Sequence, residues 1–213
     1  MASFEEEIQR IQKTYNDFNK QELYKSKWAP FYEKEVLHRI AQYRELAASL
    51  GFIKKMDLSG LRILDVGCGH GRILRSFLDM GALPENLFGV DLRAQDIAEN
   101  KKLSPGLDFS VTNGKDLNFS KESFDLVTQF VVFSSISLNE LRLRLASEMW
   151  RVLKTGGYIF WWDLKRSIAH PGYKAEYLEI EALFPSARIA KKEVCLSGKP
   201  SATLRSFPGS KWL

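Results

Sequence analysis

The chain has 213 residues, 45% hydrophobic and 27% charged, which is the composition of a single globular domain able to bury a sizeable core and excludes a disordered or fibrous protein. No apolar run approaches the ~20 residues that span a bilayer, and the acidic start Met1-Ala2-Ser3-Phe4-Glu5-Glu6-Glu7 is unlike a secretory or transit leader, so a soluble cytoplasmic protein without a transmembrane segment is expected. The formal charge of +5 is spread over isolated pairs such as Lys54-Lys55 and Lys101-Lys102, which disfavours nucleic acid as partner, while two distant cysteines and three scattered histidines leave no disulfide or metal site expected.

In chain order, Ile8, Ile11, Tyr15 and Phe18 recur at helical spacing, as do Val36, Leu37, Ile40, Tyr43 and Leu46, and Gly51 is placed to stop the second helix. Residues 1–51 are therefore expected to form a helical cap over one edge of a core spanning 52–213. From Leu61 the pattern alternates. Strands are predicted at Arg62–Val66, Leu87–Asp91, Leu107–Thr112, Phe124–Phe130 and Tyr158–Asp163, with helices at Arg72–Met80, Ala94–Lys102 and Asn139–Leu153. That alternation predicts one doubly wound, mostly parallel α/β sheet with helices on both faces and all strand C-termini on one rim. Beyond the fifth strand, a helix over Tyr173–Leu183, strands at Arg188–Leu196 and Ala202–Phe207, and turns at Pro171-Gly172 and Ser197-Gly198-Lys199-Pro200 predict a closing antiparallel hairpin.

The segment Ile63-Leu64-Asp65-Val66-Gly67-Cys68-Gly69-His70-Gly71-Arg72 carries the most chemistry. A buried strand that ends in three alternate glycines reads as a tight turn into a helix, where the backbone can take positive φ and a ligand can approach the main chain. The free N–H groups of the first helical turn favour a partly anionic group. The spacing is not that of a dinucleotide site, which needs glycines at i, i+2 and i+5: counted from Gly67, the third position is Arg72. Nor does a Gly-Lys-Ser/Thr phosphate-loop ending follow. About twenty residues on, Asp91 closes the second strand with Leu92 beside it, where a carboxylate can accept hydrogen bonds from the hydroxyls of a ribose.

The pattern Asp-x-Gly-x-Gly-x-Gly closely resembles the nucleotide-binding loop of class I S-adenosylmethionine-dependent methyltransferases. So do Val111-Thr112-Asn113-Gly114-Lys115-Asp116 with the later Phe124-Asp125, and Arg151-Val152-Leu153-Lys154-Thr155-Gly156-Gly157, where Thr155 replaces the family's usual proline. The resemblance covers about residues 61–163. It implies S-adenosylmethionine as cofactor, with no metal. It further implies Asp65, Gly67, Cys68 and Gly69 against the methionine part, Asp91 and Leu92 at the ribose, Asn113 and Gly114 at the adenine, and the backbone of Gln129-Phe130 beside the methyl-bearing sulfur.

Many relatives carry a histidine base after the fourth strand. Here Val132-Phe133-Ser134-Ser135-Ile136 has serines, so the candidates for a catalytic group are Asp163 and His170 beyond the fifth strand. His70, on a helix N-terminus that disfavours its protonated form, reads as packing. No Asn/Asp-Pro-Pro-aromatic motif follows Asp125-Leu126-Val127, which disfavours methylation of a base or glutamine amino group. The expected reaction is methyl transfer to an oxygen or nitrogen of a small-molecule or sugar-like, glycan-type acceptor, with Tyr15, Trp28 and Tyr32 expected as an aromatic lid touching it. Phe184-Pro185 and Leu204-Arg205 bear a slight resemblance to methyltransferases of bacterial cell-surface sugar and lipid pathways. The competing readings are a non-catalytic S-adenosylmethionine-binding protein and an RNA methyltransferase.

Overall fold

Alternate side chains of five parallel strands feed two separate apolar layers, one on each face of a twisted sheet. The computed structural model describes residues 3–20, 33–55, 57–164, 180–187, 191–194 and 202–208. Its strands are β1 (Ile63–Val66), β2 (Leu87–Asp91), β3 (Asp108–Val111), β4 (Phe124–Phe130), β5 (Leu153–Leu164), β6 (Lys191–Val194) and β7 (Ala202–Pro208). The helices are α1 (Phe4–Lys20), α2 (Glu33–Phe52), α3 (Arg72–Asp79), α4 (Ala94–Leu103), α5 (Asn139–Val152) and the short α6 (Ile180–Leu183). The sheet order is β3-β2-β1-β4-β5-β7-β6, with β1 to β5 parallel and β7 antiparallel to both β5 and β6. Among the described residues no helix is long and apolar enough to cross a membrane.

The alternation of side chains along each strand decides which helix goes where. Leu64, Val66, Phe88, Val90, Val127, Ile159 and Trp161 share one layer with Leu141, Leu145 and Met149 of α5 and Ile11 of α1. Ile63, Leu87, Leu126 and Phe160 share the other with Ile73, Leu74 and Phe77 of α3, Ile97 of α4, and Leu46 and Leu50 of α2. Strand order reverses between β1 and β4, so their C-terminal ends open the crevice where ligands of doubly wound sheets bind. Helix α1 starts with a capping box: the Ser3 N–H donates to Glu6 Oε2 at 2.6 Å and the Glu6 N–H to Ser3 Oγ at 3.2 Å.

Among the described residues, a clear departure from the predicted elements lies at the start of β5, while the turns predicted at 171–172 and 197–200 and the predicted helix before Ile180 lie outside them. The strand begins at Leu153, directly after α5, rather than at Tyr158, and Phe124 pairs with Leu153 while Leu126 pairs with Tyr158. The intervening Lys154-Thr155-Gly156-Gly157 bulges out, anchored by Lys154 Nζ to Asp125 at 2.8 Å and Thr155 Oγ1 to Glu122 at 2.8 Å. The stretch expected as a tight turn is a bulge inside a strand, because the ladder on both sides of it is satisfied by β4.

Close approach of α3 to the sheet depends on Gly89, where a Cβ would lie 2.8 Å from the Phe109 ring and 2.9 Å from Leu74 Cδ1. Gly89→Ala is expected to destabilise the fold by about 1–3 kcal/mol through overpacking. Gly60→Ala, at a site where a Cβ meets nothing within 4 Å, is the control expected to shift the urea midpoint little.

Candidate active site

The loop after β1 is tied to the end of β2 by its own backbone. Parallel register places Val66 opposite Val90, and the N–H groups of Gly67 and Cys68 both donate to the Val90 carbonyl, at 2.8 and 3.0 Å. Gly67, Gly69 and Gly71 have φ of 70°, 48° and 67°. These left-handed angles are cheap only for glycine, and they turn the chain into α3. The Gly71 N–H closes the turn on the Cys68 carbonyl at 2.8 Å.

Asp91 is buried and reaches back into this loop. Its Oδ2 accepts the Gly69 N–H at 2.8 Å, and its Oδ1 accepts the Arg93 N–H at 2.9 Å with the Arg93 guanidinium 3.7 Å away. A carboxylate offers about four lone-pair directions, so each oxygen keeps acceptor capacity for a further donor. On the other side, Asn100 of α4 donates from Nδ2 to the Gly69 carbonyl at 2.7 Å, and Arg75 of α3 donates to the His70 carbonyl. Asn100 and Arg75 do not stand out in the sequence. The signal available for Asn100 was a polar residue three positions from Ile97 on the buried face of α4.

Asp65 lies behind the loop, 1% exposed, accepting a hydrogen bond from Thr128 Oγ1 at 2.8 Å. Burial, with a smaller push from the Asp91 charge and against the Thr128 bond, raises its pKa to about 7. Burial likewise pushes the Cys68 thiol well up, helped by the charges of Asp65, Asp91 and Asp96; a thiol so held is a packing group, not a nucleophile. Burial lowers the His70 pKa, Asp96 opposing and Arg93 and Arg72 assisting. His70, Asp96 and Glu99 come within 4.8 Å of one another, and there the Arg93 guanidinium pairs with the Asp96 carboxylate.

The other rim residues fall on both sides of the crevice. Asn113 is exposed, and its Oδ1 accepts the N–H groups of Lys115 at 2.9 Å and Asp116 at 3.3 Å, an Asx turn that presents Gly114 beside Leu92. Gln129 is fully buried: Nε2 donates to the Trp162 carbonyl at 3.4 Å and Oε1 accepts the Val132 N–H at 3.1 Å. Phe130 meets Trp162 edge-on at 5.3 Å between ring centres. Asp163 is 2% exposed and accepts the N–H groups of Phe133 at 2.9 Å and Ser134 at 3.3 Å. Trp28, Tyr32 and His170 lie outside the described residues.

Helix α1 lies along this rim. Gln12 Nε2 donates to the Leu92 carbonyl at 2.9 Å, and Arg10 Nη2 donates to the Ser135 carbonyl at 2.7 Å. The Tyr15 hydroxyl is 2.8 Å from Ser135 Oγ, and the Arg93 guanidinium sits 4.9 Å from the Tyr15 ring centre. Glu7, braced by Arg10 at 2.7 Å, accepts the N–H groups of Ser137 and Leu138 at the start of α5.

A doubly wound sheet with a glycine loop at its switch point and an acidic residue ending β2 defines a nucleoside-cofactor-binding α/β domain. The family model described as "Methyltransferase domain" matches residues 64–161. This segment is a class I S-adenosylmethionine-dependent methyltransferase domain. The chain is 33% identical over 147 residues to the Mycobacterium ulcerans phthiotriol/phenolphthiotriol dimycocerosates methyltransferase 1, covering 68% of this chain and 46% of that protein. It is 30% identical over 169 residues to the fatty-acid O-methyltransferase of Mycolicibacterium smegmatis, covering 78% of this chain and 58% of the relative. The chain thus spans about half the length of the curated relatives it matches. A crystallised protein of Pyrococcus horikoshii OT3 superposes with TM-score 0.67 at 18% identity, over 87% of this chain and 97% of that one. A SAM-dependent methyltransferase from Aquifex aeolicus does so with TM-score 0.55 at 18% identity, over 78% and 96%.

The site residues fit the cofactor of that family. A Cβ on Gly69 would meet only the Arg93 guanidinium, at 3.8 Å, so the crest of the loop is open to a ligand, and Asp91 beside it retains acceptor capacity. Asp65 yields a prediction about pH. Its folded-state pKa lies above the unfolded value, so the folded protein binds the proton more tightly and ionisation opposes folding. That cost is absent below about pH 4 and complete above about pH 7. Asp65→Asn, which keeps an acceptor for Thr128, is expected to gain stability relative to the wild type steadily across this range and to level off above it. Urea midpoints of both proteins, measured across the range, check the slope.

Proposed function

We propose that this chain is an S-adenosylmethionine-dependent methyltransferase acting on an oxygen of a lipid-type small molecule. The observation that carries the reading is the loop itself: Gly67 and Cys68 bound to Val90, with the Asp91 carboxylate anchored on Gly69. Asp91 would hold the ribose hydroxyls with Leu92 alongside. Asn113 and Gly114 would border the adenine. Asp65, Gly67, Cys68 and Gly69 would line the methionine part, and Gln129 and Phe130 the methyl side. When bound, the cofactor supplies a methyl group on a sulfonium sulfur, which is already electrophilic.

What remains for the protein is to align the acceptor oxygen and keep water out. Helix α1 is placed for the second task, and Tyr15, on the rim between Arg93 and Ser135, for contact with the acceptor. The lipid class rests on the relatives, one named for dimycocerosates and one for fatty-acid O-methylation. A fatty-acid carboxylate is ionised at neutral pH, so its methylation needs no proton removed. That suits a chain with Ser134 and Ser135 where many relatives carry histidine.

The test is transfer of a labelled methyl group from S-adenosylmethionine to fatty acids, hydroxylated lipids, phosphorylated sugars and RNA. Methylated lipid is the expected product. Methylation confined to sugars or RNA overturns the acceptor class, and cofactor binding with no product from any acceptor favours a binding protein. Asp91→Asn is expected to weaken S-adenosylhomocysteine binding by about tenfold or more, the loss for one charged hydrogen bond; unchanged affinity in calorimetry would remove the ribose from Asp91.

A further inference from the structure

Val131, immediately after β4, has φ of 61°. The left-handed region is a genuine outlier for a β-branched residue, and such strain persists only where the surroundings hold it. Among the described residues the other non-glycine positions with positive φ are Lys54, Asn118 and Glu122, none of them β-branched.

Four consecutive N–H groups show what holds this turn. Val131 donates to the Trp162 carbonyl at 2.7 Å, Val132 to Gln129 Oε1 at 3.1 Å, and Phe133 and Ser134 to the Asp163 carboxylate at 2.9 and 3.3 Å. The turn so held delivers the Val132 side chain onto the glycine loop: a Cβ built on Gly67 would lie 2.4 Å from Val132 Cγ2. It also presents Ser135, whose hydroxyl bonds the Val131 carbonyl at 3.1 Å and meets Tyr15 of α1.

We infer that Asp163 is a positioning residue of the cofactor site, holding the strained turn at Val131 so that Val132 packs against Gly67. Its carboxylate accepts backbone N–H groups of the turn and acts through Val132 and Ser135 rather than on the acceptor's proton. The inference rests on the reading of the glycine loop as the cofactor site.

The test uses S-adenosylhomocysteine affinity by calorimetry, melting temperature, and the split of kcat against KM for the cofactor. D163N replaces one acceptor oxygen by an amide that opposes the N–H groups, and is expected to weaken binding by about tenfold. Glycine takes the left-handed conformation without strain, so V131G added to D163N is expected to regain affinity severalfold. V132A, which leaves the clamp intact, is expected to weaken binding with little change in melting, and it carries the test if D163N does not fold. Loss of kcat alone in D163N, with affinity kept and no rescue by V131G, would make Asp163 a proton acceptor and overturn the inference. So would unchanged affinity in V132A. A wild-type protein that binds no S-adenosylhomocysteine fails the proposed function instead, which keeps the two failures apart.

Discussion

The hydrogen bond from the Gly69 N–H to the Asp91 carboxylate joins the two strand ends from which the site is built, and most of the local structure serves to make it. Parallel pairing brings Val66 level with Val90, the Val90 carbonyl takes the next two N–H groups of the chain, and the left-handed glycines then point Gly69 at the end of β2. Packing beneath must be tight for that register to hold, and Gly89 lets Leu74 and Phe109 close on the strand where any side chain would intrude. From the far side, Asn100 and Arg75 fix the loop's carbonyls. A loop whose Gly67, Cys68 and Gly69 N–H groups and Gly69 and His70 carbonyls are engaged by neighbouring elements is pre-organised, so little ordering remains to oppose ligand binding.

Around this loop the charges are arranged at a cost to stability. Asp65, Asp91 and Asp96 are all buried. Arg93 lies against two of them, Asp91 and Asp96, while Asp65 is held by the neutral Thr128 hydroxyl and its burial shifts its pKa upward instead. Buried ionisable groups of this kind collect at functional sites because the same low dielectric that penalises them when empty strengthens their interaction with a ligand.

The opposite wall of the crevice is built on a different principle. There the backbone is bent against its preference at Val131, and buried polar side chains of β4 and β5, Gln129 and Asp163, hold it. Helix α1 then rests on the product of that bend, through Arg10 and Tyr15 at Ser135 and through Glu7 at the start of α5. The cap is thus attached to the same segment that touches the glycine loop, so loop, turn and cap share one set of contacts.

The sequence by itself determined the parallel α/β class, the position of the glycine loop and the place of Asp91. Each is a local matter: alternating periodicities, glycine's access to positive φ, and a carboxylate at a strand end are readable within about ten residues. It also marked Gln129, Asn113 and Asp163 as rim positions, but not what their side chains do there. The role of Asp163, like those of Asn100 and Thr128, came from a partner far along the chain: Asn100 to Gly69 across 31 residues, Thr128 to Asp65 across 63, Asp163 to Phe133 across 30, whereas the Asx turn of Asn113 is local. The bulge of Lys154–Gly157 was equally hidden, because only pairing with β4 distinguishes it from a turn. Short-range conformational preference is written in the residues themselves, whereas hydrogen-bond partnership between distant side chains exists only once strand register and helix packing have brought them within 3 Å or so of one another.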